Sequence, residues 1–145
     1  NGFSAQEHLG DRGWRVAGVE NMPPIVARGV MLDVAAAKGV AMLPDGYRIT
    51  RTDLEASLLH QRVDLRQGDV VLIRTGRMRV FDDTSAYMGN PPGLGLAAAR
   101  FLVIELAWLE DLARDKVYEF AFIAAPLKLR GADAAPLRPV AIPLR

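Results

Sequence analysis

The run Val70-Val-Leu-Ile73 is wholly apolar, three of its four residues are β-branched, and Gly68-Asp69 and Arg74-Thr75-Gly76 bound it. A short uninterrupted run of this kind predicts a strand buried on both faces. Polar residues at the exit of a buried strand often line a site, so Arg74 and Thr75 are the first candidates for function. The structural alternative is that Arg74 pairs with a carboxylate and Thr75 caps the next segment. Upstream, Ile25-Val26 and Val30-Met-Leu-Asp-Val34 predict a strand with a turn or bulge at Arg28-Gly29. Between these runs, Leu54, Leu58 and Leu59, with Ile49 as a staple, repeat at helical spacing behind Thr50-Arg-Thr-Asp53, which reads as a helix start. His60 ends that helix. Residues 30–76 therefore read as strand, helix, strand, and a parallel crossover is the natural arrangement.

The remaining pattern is more broken. Ser4-Ala-Gln-Glu7 has the form of a capping box and predicts a short helix ending near Gly10 or Gly13. Residues 14–24 read as irregular, and Pro23-Pro24 stops any helix. A helical turn over Ala35 to Gly39 and a Pro44-Asp45-Gly46 turn follow. Asp82 to Gly95 reads as a long loop exposing Tyr87 and Met88, and Leu96 to Arg114 as one helix. Lys116 to Ile123 predicts a strand, and Val140-Ala-Ile142, flanked by prolines, an edge strand. Together these elements predict an α/β fold.

Composition adds exclusions. The 145 residues carry 18 basic and 17 acidic side chains, a formal charge of +1, so no electrostatic pull toward nucleic acid or anionic membrane is expected. No cysteine is present, which removes disulfides and thiolate metal sites and is compatible with the cytoplasm. The most apolar window, Leu96 to Leu112, includes Arg100, Glu105, Glu110 and Asp111, so no membrane span is expected. Arg74, Arg77 and Arg79 read as solvated salt bridges with Asp82 and Asp83 close behind. Gly93-Leu-Gly95 reads as a loop-to-helix turn before it reads as a phosphate cradle, because it follows Pro91-Pro92 and not a strand. His8 and His60 have no serine at a triad spacing and give no histidine metal site by spacing. From the residues alone the catalytic group is unknown.

Several blocks nevertheless resemble one family. They are Asn1-Gly-Phe-Ser-Ala5, Ile25-Val-Ala-Arg-Gly-Val-Met-Leu-Asp33, Lys38-Gly39, Asp53-Leu-Glu55, Gly68-Asp-Val-Val-Leu-Ile-Arg-Thr-Gly76, Pro92-Gly-Leu-Gly95, Val117-Tyr-Glu-Phe120, Ala125-Pro-Leu-Lys-Leu-Arg-Gly131 and Pro136-Leu-Arg-Pro139. In order and over nearly the whole chain they resemble the cyclase family, which includes bacterial kynurenine formamidase and isatin hydrolase. The resemblance implies a mixed central sheet with flanking helices, of the swivelling β/β/α type, in a single domain over 1–145. It also implies a metal-dependent hydrolase of a small amide or lactam, using Zn or Mn to acidify water at neutral pH. Glu105, in Ile104-Glu-Leu-Ala-Trp-Leu-Glu110, which resembles the family's E-N-L-x-L-E segment, matches its ligating glutamate, with Leu106 in place of the usual asparagine. Arg74, Thr75 and Tyr87 are candidates for the substrate pocket. The family's H-x-G-T-H-x-D motif would lie upstream of Asn1, and a strand with a further histidine would lie near Val103-Ile104; neither is in the sequence. The domain is therefore expected to be incomplete, with a segment missing near 103–104. The alternative implication is a truncated or inactive domain that binds no metal and serves as an assembly module. A homodimer or higher homo-oligomer is expected in either case.

Overall fold

The computed structural model describes residues 4–11, 13–16, 18–95, 98, 109–129, 136 and 138–144. Two compact units form, Asn1–Val26 with Phe122–Ala141 and Ala27–Ala121 with Ile142–Arg145. The first holds α1 (Ala5–His8) and a small antiparallel hairpin of β1 (Leu9–Gly10) and β2 (Gly13–Trp14). Ser4 is the N-cap of α1, but its side chain accepts no capping bond, so the expected capping box does not form. The helix ends at His8 because the hairpin takes over at Leu9, short of the glycines expected to end it.

The strand β3 (Ile25–Asp33), of which Ala27 onward belongs to the second unit, runs without a break through Arg28-Gly29, where a turn or bulge was expected. Gly29 serves packing instead: a Cβ there would overlap the ring of Phe120, which is fully buried. A short helix, α2 (Val34–Ala37), follows Asp33 and is closed by Gly39 at φ +68°. The Pro44-Asp45-Gly46 turn forms as expected, with Gly46 at φ +66° and the Tyr47 amide donating to Pro44. Next come β4 (Arg48–Ile49), α3 (Arg51–Gln61) and β5 (Val70–Arg74). β5 pairs with β3 in parallel, Gly29 opposite Val70 through Asp33 opposite Arg74, so the expected crossover is present. Val71 and Leu72 are buried while Val70 and Ile73 are half-buried, and β5 stands at one end of the sheet order β5-β3-β7-β8. Here β7 is Glu119–Ala124 and β8, the expected edge strand, is Val140–Pro143.

The stripe of α3 differs from the expected one. Leu54 is buried and Leu58 is half-buried, but Leu59 is 81% exposed, and the other buried positions are Ser57 and Gln61. Polar groups can be buried there because each is satisfied. The Ser57 hydroxyl donates to the Asp53 carbonyl at 2.8 Å. The Gln61 carboxamide accepts from the Asp33 amide at 2.9 Å and donates to the Met31 carbonyl at 2.7 Å. On that side of β3, where the Met31 amide already donates to the Tyr118 carbonyl, the Gln61 side chain completes the ladder as a peptide group would.

The start of α3 is a full capping box. The Thr50 hydroxyl accepts from the Asp53 amide, and the Asp53 carboxylate accepts from the Thr50 amide at 2.8 Å. Lys38 Nζ and the Tyr47 hydroxyl each reach the same carboxylate at 3.1 Å. Burial pushes the Asp53 carboxyl up, but the Thr50 amide and hydroxyl, Lys38 and Tyr47 outweigh it and bring it from 3.8 down to about 2. A carboxyl depressed on folding contributes its full stabilisation above its unfolded value and loses it as pH falls through the folded one. Asp53→Asn is therefore expected to cost about 1 kcal/mol at neutral pH. It should also flatten the part of the acid denaturation curve between pH 3.8 and about 2, as urea midpoints across that window will read.

Asp82 to Gly95 is not one loop. Asp83 accepts from the Ala86 amide at 3.0 Å and caps α4 (Thr84–Met88), and β6 (Gly93–Leu94) pairs in parallel with β4. Tyr87 is half-buried and Met88 exposed. Of the expected helix over Leu96 to Arg114, the described part is Ala98, Leu109 and α5 (Glu110–Arg114), and it is not one helix through Leu109, which is the N-cap of α5 at φ −112°, ψ 2°. The suspected discontinuity near 103–104 lies outside the described residues, as does Glu105. Among the described residues no helix is long and apolar enough to cross a membrane.

Candidate functional site

Parallel pairing sets Asp33 opposite Arg74 at the carboxyl ends of β3 and β5, the end of a parallel sheet where ligands are usually received. Asp33, 3% exposed, is the N-cap of α2. One of its carboxylate oxygens accepts from the Ala36 amide at 2.9 Å and from Arg74 Nη1 at 2.9 Å. The other side of the Arg74 guanidinium forks onto Glu110, with Nε to Oε1 at 3.1 Å and Nη2 to Oε2 at 2.6 Å. Arg79 Nη1 stands 3.8 Å from Glu110 on the solvent side. Burial pushes the Arg74 guanidinium down, but its bonds to Glu110 and Asp33 outweigh that and hold it above its ordinary value. Burial, and then the negative charge of Asp33, push the Tyr118 phenol up, so it stays a neutral hydroxyl beside the pair.

The residues that leave the strand are held just as firmly. Thr75 is half-buried; its carbonyl accepts from the Leu43 amide at 2.9 Å and its hydroxyl from the Arg77 amide at 3.3 Å. Gly76 turns the chain at φ 79°, ψ 0°, where a Cβ would overlap the Ala41 carbonyl. Arg77 is buried. It donates to the Tyr87 carbonyl at 3.3 Å, to the Ala86 carbonyl, and to the Asp45 carboxylate. The Tyr87 ring lies edge-on to Phe81, with centroids 5.3 Å apart, and its hydroxyl faces Met78 Sδ at 3.5 Å.

Of the sequence candidates, Arg74 and Thr75 adjoin at the strand exit, and Tyr87 meets that exit through Arg77. The structural alternative for Arg74 and Thr75 describes their contacts: a carboxylate pair for one and a capping hydroxyl for the other. The solvated basic cluster is corrected. Arg74 and Arg77 are buried, with partners at Asp33, Glu110 and Asp45, while Arg79 is exposed and stands near Glu110. The Gly93 and Gly95 amides donate to the Tyr47 and Ile49 carbonyls, so they are spent on strand pairing and not left to cradle a phosphate.

Asp33, Gln61 and Asp45 were not singled out from the sequence, and Glu110 entered the family match only as the last residue of the stretch that carries Glu105. Only Asp33 had a local signal, an acidic residue between an apolar run and Val34-Ala-Ala-Ala37, which is an N-cap position.

A divalent cation needs several converging donors. Among the described residues no group of three or more His, Cys, Asp or Glu side chains could hold one. The two carboxylates nearest the strand ends, Asp33 and Glu110, already share the Arg74 guanidinium. The described residues therefore do not fit a metal.

Comparison with known proteins agrees on the family. A family model described as "Putative cyclase" matches residues 3–108. A solved structure described as a novel cyclase is similar over 86% of this chain, at 31% identity and a TM-score of 0.74. The chain spans 55% of the length of that structure's chain. No curated protein gives a significant match. With the model matched over more than half of its residues and the mixed α/β fold shared, the chain belongs to the cyclase family.

Proposed function

We propose that the chain works in a metal-dependent hydrolase that cleaves the C–N bond of a small amide, an N-formyl aryl amine or a lactam. The observation that supports this reading is family membership over residues 3–108, and the fold shared with a cyclase structure at 31% identity agrees with it. In this reading a Zn or Mn ion supplies the acidified water. Glu105 would be one of its ligands, and Arg74, Thr75 and Tyr87 would line the substrate pocket. The described residues do not by themselves assemble a site for the ion.

One observation favours a second reading, an inactive cyclase-like module that serves assembly. Asp33 at the end of β3 and Glu110 at the start of α5 are both paired with an arginine of the chain itself. Both readings carry a homodimer or higher homo-oligomer, which light scattering will count. They separate by metal analysis of the purified protein and by hydrolysis of N-formylkynurenine and of a lactam. The first reading expects about one or two ions per chain and turnover that a chelator abolishes. A folded protein with neither metal nor turnover would replace it with the second.

A further inference from the structure

Helices α4 and α5 share an unusual weakness. Each has five residues, too few for a helix to persist in water on its own, and neither buries a single side chain. The N-cap of α5, Leu109, supplies no side-chain bond. Among the described residues, the buried side chain that hydrogen-bonds to each helix from the body is an arginine from the same four-residue exit of β5. Beside it stand the Tyr87–Phe81 ring contact at α4 and the exposed Arg79 near Glu110 at α5. Arg74 forks onto Glu110, the first residue of α5. Arg77 takes the Ala86 and Tyr87 carbonyls at the end of α4 and braces itself on Asp45. The exit is itself held, because the Thr75 carbonyl accepts from the Leu43 amide and Gly76 leaves no room for a Cβ beside the Ala41 carbonyl.

We infer that residues 74–77 form a double clasp from which α5 and α4 open separately, α5 at the Arg74–Glu110 pair and α4 at the Arg77 carbonyl pair. The two arginines point to different partners and share none. Releasing Glu110 leaves Arg74 bonded to Asp33, and releasing α4 leaves Arg77 bonded to Asp45. Each helix is thus a movable part beside the carboxyl ends of β3 and β5, where access to a ligand would be set. The clasp would operate whether or not the chain works in a hydrolase.

Hydrogen exchange followed by mass spectrometry tests it on wild type, Glu110→Gln and Arg77→Met. Glu110→Gln should raise exchange at least about tenfold over 110–117 and leave 84–90 at the wild-type rate. Arg77→Met should do the reverse. If Arg77→Met does not fold, as amides of β3 and β5 will reveal, Arg77→Lys takes its place. A lysine keeps the charge but cannot serve two carbonyls and a carboxylate in one plane, so it should give the same localised pattern. Loosening of both helices by either variant, or of neither by both, would overturn the inference.

Discussion

Arg74→Met is expected to destabilise the protein by about 3–5 kcal/mol, read as a lowered urea midpoint at neutral pH. The loss does not come from a missing contact alone. Two charged groups remain, and one of them has nowhere to go. Glu110 stands at the surface end of the pair and can turn to water or to Arg79. Asp33 is 3% exposed and stays fixed as the cap of α2, so its charge is left facing the protein interior without a counter-ion. Breaking one partner of a buried pair is costly for that reason, even where the intact pair adds little net stability. Arg74→Lys should fall between, because an ammonium restores the charge but cannot fork onto Glu110 while reaching Asp33.

Gly76→Ala should cost about 3 kcal/mol, the next largest effect. Positive φ alone costs a non-glycine residue about 1–2 kcal/mol. At Gly76 the added methyl would also overlap backbone, the Ala41 carbonyl and Met42 Cα, which no rotamer change relieves. Overpacking of that kind adds about 1–3 kcal/mol. Gly39 provides the control, since it has φ +68° and open space around its Cα. Gly39→Ala should lose only the conformational part, about 1 kcal/mol. The difference between the two urea midpoints isolates the overlap.

The elements that local signals specify were legible in the sequence. The apolar run Val70–Ile73, the Thr50–Asp53 start of α3 and the strand-helix-strand order needed no knowledge of distant residues, and parallel pairing follows from the crossover. The resemblance of the Gly68–Gly76 block reached the family correctly. Misreadings arose where a neighbouring element decided the outcome. Gly29 looked like a turn because its reason, the Phe120 ring, is more than ninety residues away. Leu59 looked like core because apolar spacing does not reveal that Ser57 and Gln61 find partners inside. The 82–95 stretch looked like a loop because α4 is too short to show a period, although Asp83 before Thr84 was a readable cap.

The candidate site shows the same division. Arg74 and Thr75 were found from their place at the end of a strand. Their partners were not, because Arg74 meets Asp33 and Glu110 across 41 and 36 residues, and charge pairing at that range leaves no trace in a single sequence. The guanidinium that the sequence offered as a pocket candidate is in the structure a counter-ion that joins Asp33, at a strand end and helix cap, to α5.

A double-mutant cycle between Arg74 and Glu110 tests that joining most directly. Urea midpoints of wild type, Arg74→Met, Glu110→Gln and the double variant give the coupling between the two side chains. A bidentate, largely buried pair predicts about 1.5–3 kcal/mol of coupling that persists at high salt. Additive losses, with no coupling beyond about 0.5 kcal/mol, would contradict the role of Arg74 as the counter-ion that holds α5 to the strand ends.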